Sequence, residues 1–577
     1  MTTRRVRIAN CSGFYGDRLS AAREMVEGGP IDVLTGDWLA ELTMMILAGN
    51  RLKGRPGYAR TFLTQMEQVL GTCLDRGIKI VSNAGGLDPR ACAEAVSELA
   101  ARLGLSASVA HVTGDDLMPL DGPVVDAVTG EILAATPITA NAYLGGRPIA
   151  VALEHGADVV VTGRVTDAAL VTGPGMWWYG WGPGDLDALA GSVVAGHIIE
   201  CGCQATGGNY AFFGEVPDLA HCGFPIAELR ADGSSVITKH PGTGGLVSVG
   251  TVTAQLLYEI GSPRYLGPDA TARFDTIRLE QEGPDRVLVS GVRGEAPPAT
   301  LKVAVNHLGG YRNTMTLVLT GLGIEEKARV AQEAVWARVP RESFDQVHVE
   351  LTPMLPPAGG AGTALLRITV MDADKAKAGR AFSSAVVETG LAGYPGFYGL
   401  TPPGDASPYG VFTASSVDAE AVRAVVTVGG TRIEVPHVAP SESAHEPVAP
   451  GSVGAAGSPA DGPVRPLGTV AGARSGDKGG DANLGVWVRT AEQYAWLSDF
   501  LTADRLRELL PETAGLPVER FALPNLLALN FVVRGLLGRG VAASPLLDAQ
   551  AKALGERLRA VSMPIPLFSD APKNDIS

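Results

Sequence analysis

The chain reads as mixed α/β in three parts. A parallel-sheet domain spans residues 1–225, an α+β domain with a largely antiparallel sheet spans 226–435, and a small α/β sandwich spans 466–565. Three observations predict this. Five stretches in the first 170 residues run apolar, then Ser, Thr or Asn, then Gly. Strands and amphipathic helices alternate up to about residue 225, which gives a parallel sheet covered by helices. Short alternating strands take over from 226, and a Pro-, Ser-, Ala- and Gly-rich linker at 436–465 sets off the last hundred residues.

The five strand-end stretches are 6–13, 31–37, 78–86, 108–116 and 157–167. The last is the clearest. Ala157, Val159, Val160 and Val161 read as a strand buried on both faces. It stops at Thr162 and Gly163, and Arg164 and Asp167 follow at once. Strand ends of this kind carry ligands in open and barrel-like α/β folds, so five of one type predict one shared rim.

Between the strands, residues 17–27 place Leu19, Ala22, Met25 and Val26 on one helix face, with Asp17 as N-cap. Residues 38–48 read as a buried helix in which Glu41 needs a partner. Helices follow at 59–76, 89–103, 146–156 and 185–201, the second opened by Pro89. In the middle region short strands fall at 235–238, 276–279, 286–290, 301–305, 316–320, 347–351 and 366–370, with helices near 324–338 and 374–389. Residues 425–435 read as a hairpin turning on Gly429 and Gly430. The last part runs strand (486–488), helix (491–510), strands (521–534) and helix (546–561), the plan of a two-layer sandwich.

The 577 residues carry a net charge of −14, which argues against a DNA or RNA partner. Six cysteines, all within the first 222 residues, show no paired zinc spacing and read as reduced thiols of a cytoplasmic protein. No apolar segment follows the N-terminal arginines, and no run of about 18 apolar residues exists, so neither a secretory signal nor a membrane span is expected.

The densest polar cluster is 196–209. His197 and Glu200, three apart, share a helix face. They read as a proton-transfer pair beside the amides of Gly207 and Gly208, or as a hydrogen-bonded helix-end histidine beside a glycine turn. A metal site here lacks a third ligand at known spacing. Lys239 with the amides of Thr243 and Gly244 reads as an anion cradle or as a wide turn. Asn83, Gly85 and Gly86 place donors at a helix N-terminus. Arg164 and Asp167 face a ligand or pair with each other. Asp37 and Asp116 add rim carboxylates or cap helices. Residues 473–485 set Arg474, Asp477 and Lys478 among four glycines, for a ligand or an interdomain contact. Gly13 and Gly16 lack the dinucleotide-binding spacing, and no cofactor is expected.

At these motifs the chain closely resembles the acyclic terpene utilisation AtuA family. The matching stretches are 10–17, 37–43, 82–89, 112–117, 162–170, 196–208, 217–226, 239–247 and 474–484. The resemblance implies a ferredoxin-like last domain. It also implies catabolism of branched isoprenoids such as citronellol and geraniol as acyl-CoA thioesters, beside biotin-dependent acyl-CoA carboxylases and enoyl-CoA hydratases. The expected function is a hydratase or lyase on a branched acyl-CoA or related acid. His197, Glu200, Asp167 and Arg164 would be catalytic. Asn83, Gly85, Gly86, Asp37, Asp116, Thr206, Gly207, Gly208, Lys239, Thr243, Gly244, Arg474, Asp477 and Lys478 would bind substrate. The rival expectations are a non-catalytic partner of an acyl-CoA carboxylase complex and an acyl-ligand binding module. A homo-oligomer is expected.

Overall fold

The computed structural model describes residues 4–120, 122–354, 362–437 and 462–568, and of Glu41 the backbone alone. The expected linker lies, from 438 to 461, outside the described residues, as does the partner sought for the Glu41 side chain.

Strands β1 (Val6–Asn10), β2 (Val33–Gly36), β3 (Lys79–Ser82), β4 (Val109–Thr113) and β6 (Val159–Thr162) are parallel and lie in the order β1-β2-β3-β6-β4. Both sheet faces are covered, as the continuous apolar runs require. Val6, Ile8, Val33, Val81 and Val160 pack under α5 (Arg147–Glu154), α6 (Ala169–Tyr179) and α7 (Leu186–Ile199). Ala9, Leu34, Ile80, Val159 and Val161 pack under α1 (Ala21–Glu27), α3 (Arg60–Arg76) and α4 (Pro89–Arg102). Because the strands are parallel, their five C-terminal tips share one edge.

The sheet does not end at residue 225. β7 (Pro225–Leu229) pairs antiparallel with β1, β8 (Ser235–Lys239) follows, and Arg286–Ser290 and Arg278–Gly283 continue outward. At the other edge the hairpin Arg423–Val428 and Thr431–Pro436 pairs with β4. Its turn glycines have φ of 55° and 82°, as the Gly-Gly pattern predicts. Residues read as part of a separate α+β unit therefore extend the first sheet to eleven strands. A parallel sheet's edges carry unpaired amides, and antiparallel hairpins cover them.

The remaining middle residues form a second, antiparallel sheet around one 21-residue strand, Thr300–Thr320, where two short strands were expected. Gly309 and Gly310 interrupt the apolar pattern at a register shift, without ending the strand. Helices Ile324–Trp336 and Phe382–Val387 cover one face. Strand β5 (Pro137–Ala142) leaves the first unit to pair with residues 303–307, which fixes the following Tyr143 at the rim.

The last part is a four-stranded antiparallel sheet in the order Gly472–Lys478, Asp481–Trp487, Ala528–Val533, Val518–Leu523, packed on helices Ala491–Phe500, Ala503–Leu509 and Leu554–Ala560. Residues 472–478 lack apolar alternation, so the sequence hides this first strand. The expected helix 491–510 breaks where Thr502 caps its second half, accepting from the Arg505 amide at 3.1 Å. No described helix is long and apolar enough to cross a membrane.

Candidate functional site

The rim is built by local chain chemistry at each strand tip. After β1, Asn10 donates to the carbonyls of Ile199 (2.5 Å) and Glu200 (3.0 Å), capping the end of α7. After β2, Asp37 accepts from the Leu39 amide (2.8 Å) and from Asn83 Nδ2 (2.6 Å) at the tip of β3. Asn83 Oδ1 in turn accepts from the Trp38 amide at 2.8 Å. After β4, Asp115 accepts from the Arg164 amide (2.8 Å) and from Asn141 Nδ2 (2.9 Å). After β6, Arg164 donates to the Leu39 carbonyl (2.8 Å), stacks 4.3 Å above the Tyr143 ring and lies 3.4 Å from Asp167.

Helix α7 is apolar on nearly every side and runs through the core. Gly196 lets it touch the turn that follows β6, since a Cβ there would lie 2.6 Å from Ala168 Cα. This contact brings His197 and Glu200 to Asp167. His197 Nδ1 lies 3.2 Å from Glu200 Oε1, and the rings of Tyr265 and Phe274 stand 5.2 and 5.5 Å from the imidazole. Replacing Gly196 with Ala should therefore destabilise the protein by about 1–3 kcal/mol through overpacking, against the gain a helix interior normally takes from Gly→Ala. A urea midpoint at or above wild type would contradict this contact.

The electrostatics reverse the usual charge states. Burial pushes the Glu200 carboxyl well up, and Asp167 and Glu259 add to the shift. Burial, then Asp167, likewise raises Asp37 against the pull of Arg164. Burial raises Asp115 to about 6 and lowers His197 to about 4. Burial thus favours a neutral imidazole and a protonated carboxyl in the His–Glu pair. Burial opposes the charge on Arg164, but Tyr143, Asp167 and Asp37 outweigh it and hold the guanidinium charged. Glu200 Oε2 meets no hydrogen-bond partner, and the approaches of His197 Nδ1 to Glu200 Oε1 and of Asp167 Oδ1 to Arg164 lack hydrogen-bond geometry. His197 is 1% exposed, whereas the Asp167 side chain is 29% exposed, so the cluster reaches solvent at Asp167.

A buried neutral histidine makes stability acid-sensitive. Below pH 6.5 the unfolded chain takes up a proton that folded His197 refuses until about pH 4. This group should therefore remove on the order of 2–3 kcal/mol as pH falls across that window. His197→Leu should flatten the acid side of a stability-versus-pH curve. An unchanged slope would show that the imidazole is not held neutral.

Several expected site residues are placed elsewhere. Asp116 is exposed, and the inward carboxylate is its neighbour Asp115. The amides of Gly207 and Gly208 are spent on Gln204 and Cys203 carbonyls, and that of Gly86 on Asn83, so these three offer no oxyanion donors. Gly85 is a packing position, where a Cβ would lie 2.4 Å from the Thr162 carbonyl oxygen. The Thr206 hydroxyl donates to the Gly223 carbonyl at 2.6 Å, with the Cys203 carbonyl also in reach at 3.0 Å. Lys239 is held by Asp285 (3.0 Å) and the Thr243 carbonyl (2.7 Å), and the Gly244 amide by His221. Five strand gaps separate β8 from β6, which puts Lys239 about 24 Å from Arg164.

The glycine-rich stretch of the last part makes an interdomain contact. Arg474 hydrogen-bonds Gln204 and lies 4.4 Å above the Tyr258 ring. Lys478 donates to the Glu259 carbonyl at 3.1 Å, while Asn483 accepts from the Glu259 amide at 2.7 Å. Lys552 lies 3.7 Å from Asp477 and 3.8 Å from Glu259. Glu259 itself has a φ of 57° just past α8 (Val249–Leu256). Its carboxylate and the Lys478 ammonium act on both His197 and Glu200. Sequence reasoning missed Glu259, Asp115 and Tyr143. Only Asp115, inside the Gly114–Asp116 motif, carried a signal.

Among the described residues no group of three or more His, Cys, Asp or Glu side chains is arranged to hold a metal ion. A separate cavity of about 730 Å³ opens between α5, the turn joining α6 to α7 and the 423–436 hairpin, lined mainly by apolar groups such as Leu144, Met176, Trp181 and Val422. None of the rim side chains lines it.

A family model described as acyclic terpene utilisation family protein AtuA matches residues 6–428, and one described as the AtuA ferredoxin-like domain matches residues 465–564. No curated protein and no solved structure matches the chain. The first match covers well over half of the chain and includes every strand-tip motif of the rim. The chain belongs to the AtuA family, whose role is acyclic terpene utilisation.

Proposed function

We propose that the chain is an enzyme of branched, isoprenoid acyl-CoA breakdown, a hydratase or lyase whose active site is the rim cluster. The observation that carries this reading is the convergence of His197, Glu200 and Asp167, whose buried polar atoms lack well-formed hydrogen bonds. Such atoms are costly unless something binds them. Adding water to, or eliminating it from, a thioester needs a proton donor, a proton acceptor and a charge to hold the developing enolate oxygen. Glu200, whose carboxyl burial pushes well up, serves as the acid. His197 is the neutral acceptor beside it. Arg164 is the fixed positive charge, and Asp167 is the group a substrate meets first. No redox cofactor enters this chemistry.

The test is incubation of the protein with a panel of branched enoyl-CoA and 3-hydroxyacyl-CoA esters, followed by mass spectrometry. A shift of one water in at least one ester is expected. No mass change in any ester would count against the hydratase reading.

The sealing of His197 favours a second reading, a non-catalytic partner of an acyl-CoA carboxylase complex. That reading predicts co-purification with carboxylase subunits and no turnover in the same panel.

A further inference from the structure

Two of the six cysteines stand together outside the proton-transfer cluster. Cys203 lies half-buried in the turn Gly202–Thr206, and Cys222 lies 5% exposed on the facing loop. Each thiol lies against the backbone carbonyl of the other residue. Cys203 Sγ is 3.3 Å from the Cys222 carbonyl, and Cys222 Sγ is 3.7 Å from the Cys203 carbonyl. Arg18 spans the pair, with Nη1 3.5 Å from Cys203 Sγ and Nη2 2.8 Å from the Cys222 carbonyl. Thr206 Oγ1 sits 3.1 Å from Cys222 Sγ. Glycines allow this closeness: a Cβ on Gly245 would lie 2.9 Å from Cys222 Sγ, and one on Gly208 2.9 Å from the Cys203 carbonyl oxygen.

A guanidinium and hydrogen-bond donors around a sulfur favour its thiolate. The adjacent Cys203 thiol holds Cys222 down at about 6, helped by the Arg18 charge, and the same proximity raises Cys203. The pair therefore sheds one proton readily and keeps the other. Cys11, Cys73 and Cys92 are buried, and burial raises all three.

We propose that Cys203 and Cys222 form a reversible dithiol–disulfide couple, a redox modification site that takes small-molecule disulfides as its oxidant. The Cys222 thiolate takes the proton of the neighbouring Cys203 thiol. The Cys203 thiolate, on the more exposed residue, attacks one sulfur of the small disulfide. That S–S bond breaks, and the leaving thiolate takes a proton from solvent. Cys222 then gives its proton to solvent and attacks the Cys203 sulfur. The intrachain S–S bond forms, and the second small thiol leaves protonated. Two protein thiols are oxidised and one small disulfide is reduced to two thiols. The bond ties the turn that follows Glu200 to the loop beside Arg18. Gln204, next to Cys203, already holds Arg474, so the oxidised form fastens the end of α7 and the docked last domain to one anchor.

The test uses the full chain equilibrated with oxidised and reduced glutathione at several ratios, quenched in acid and digested without reductant for peptide mass spectrometry. One linked peptide pair, Cys203 to Cys222, is expected. Its population should follow the glutathione ratio and return to zero with dithiothreitol. Cys222→Ser should leave a stable glutathione adduct on Cys203, and Cys203→Ser should abolish both products. Circular dichroism checks the folding of the variants, but the wild-type result decides alone. Glutathione retained on wild-type Cys203 without the link, a link through Cys201, or no modification at any ratio would each overturn the proposal.

Discussion

Arg164→Ala should cost the protein about 3–5 kcal/mol, the loss seen when one member of a buried ion pair is removed. Arg164 is 3% exposed and is the guanidinium set among Asp37, Asp167 and Glu200. Its removal leaves Asp167 without its ion-pair partner, strips the Leu39 carbonyl of its donor and uncovers the Tyr143 ring. Arg164→Lys keeps the charge but not the planar stack or the forked donors, so it should recover only part of the loss. The measurement is the urea midpoint followed by tryptophan fluorescence at pH 7 and pH 5. The deficit should shrink at the lower pH, where more of the carboxylates are protonated and need no cation. A midpoint shift worth less than about 0.5 kcal/mol, the range of an ordinary surface substitution, would remove Arg164 from the centre of the site.

Glu200→Gln should lower turnover by about 10²–10⁴, the usual contribution of one general acid, and at the same time make the protein more stable at alkaline pH. The sign follows from linkage. An unfolded glutamate ionises near 4.5, whereas folded Glu200 holds its proton well above that. Its contribution to stability is greatest below pH 4.5 and is lost as pH rises toward the folded value. Glutamine does not titrate, so the gap between variant and wild type should widen from pH 5 to pH 8. Parallel stability curves across that range would show that the carboxyl is not held protonated. Unchanged turnover would move the acid elsewhere in the cluster.

Much of this arrangement was legible in the residues. The five apolar stretches ending in Ser, Thr or Asn and Gly are five parallel strands, and their tips share an edge because parallel strands allow nothing else. The pairing of Asp37 with Asn83 and of Arg164 with Asp167 follows from that edge. What the sequence hid has physical causes. Of two adjacent aspartates, the order of exposure is set by the bend at Gly114, which no local pattern records. The glycines read as amide donors are packing positions, because a glycine run looks the same whether it cradles an anion or lets two backbones touch. Residues 225–290 carry ordinary antiparallel alternation, and nothing in that alternation says which sheet they will extend. Glu259 lies in an unremarkable stretch, and only the docking of residues 472–487 makes it part of the cluster.

The left-handed Glu259 carries a consequence for how this molecule must be made. Its amide and carbonyl are held by Asn483 and Lys478, which lie on the far side of the 438–461 segment in sequence. Neither half of the polypeptide encodes the whole cluster around His197, Glu200 and Glu259. Joined covalently, the halves meet at a rate that does not depend on how much protein the cell contains. Severed between them, the cluster would form only by bimolecular encounter, and its completeness would rise and fall with expression level.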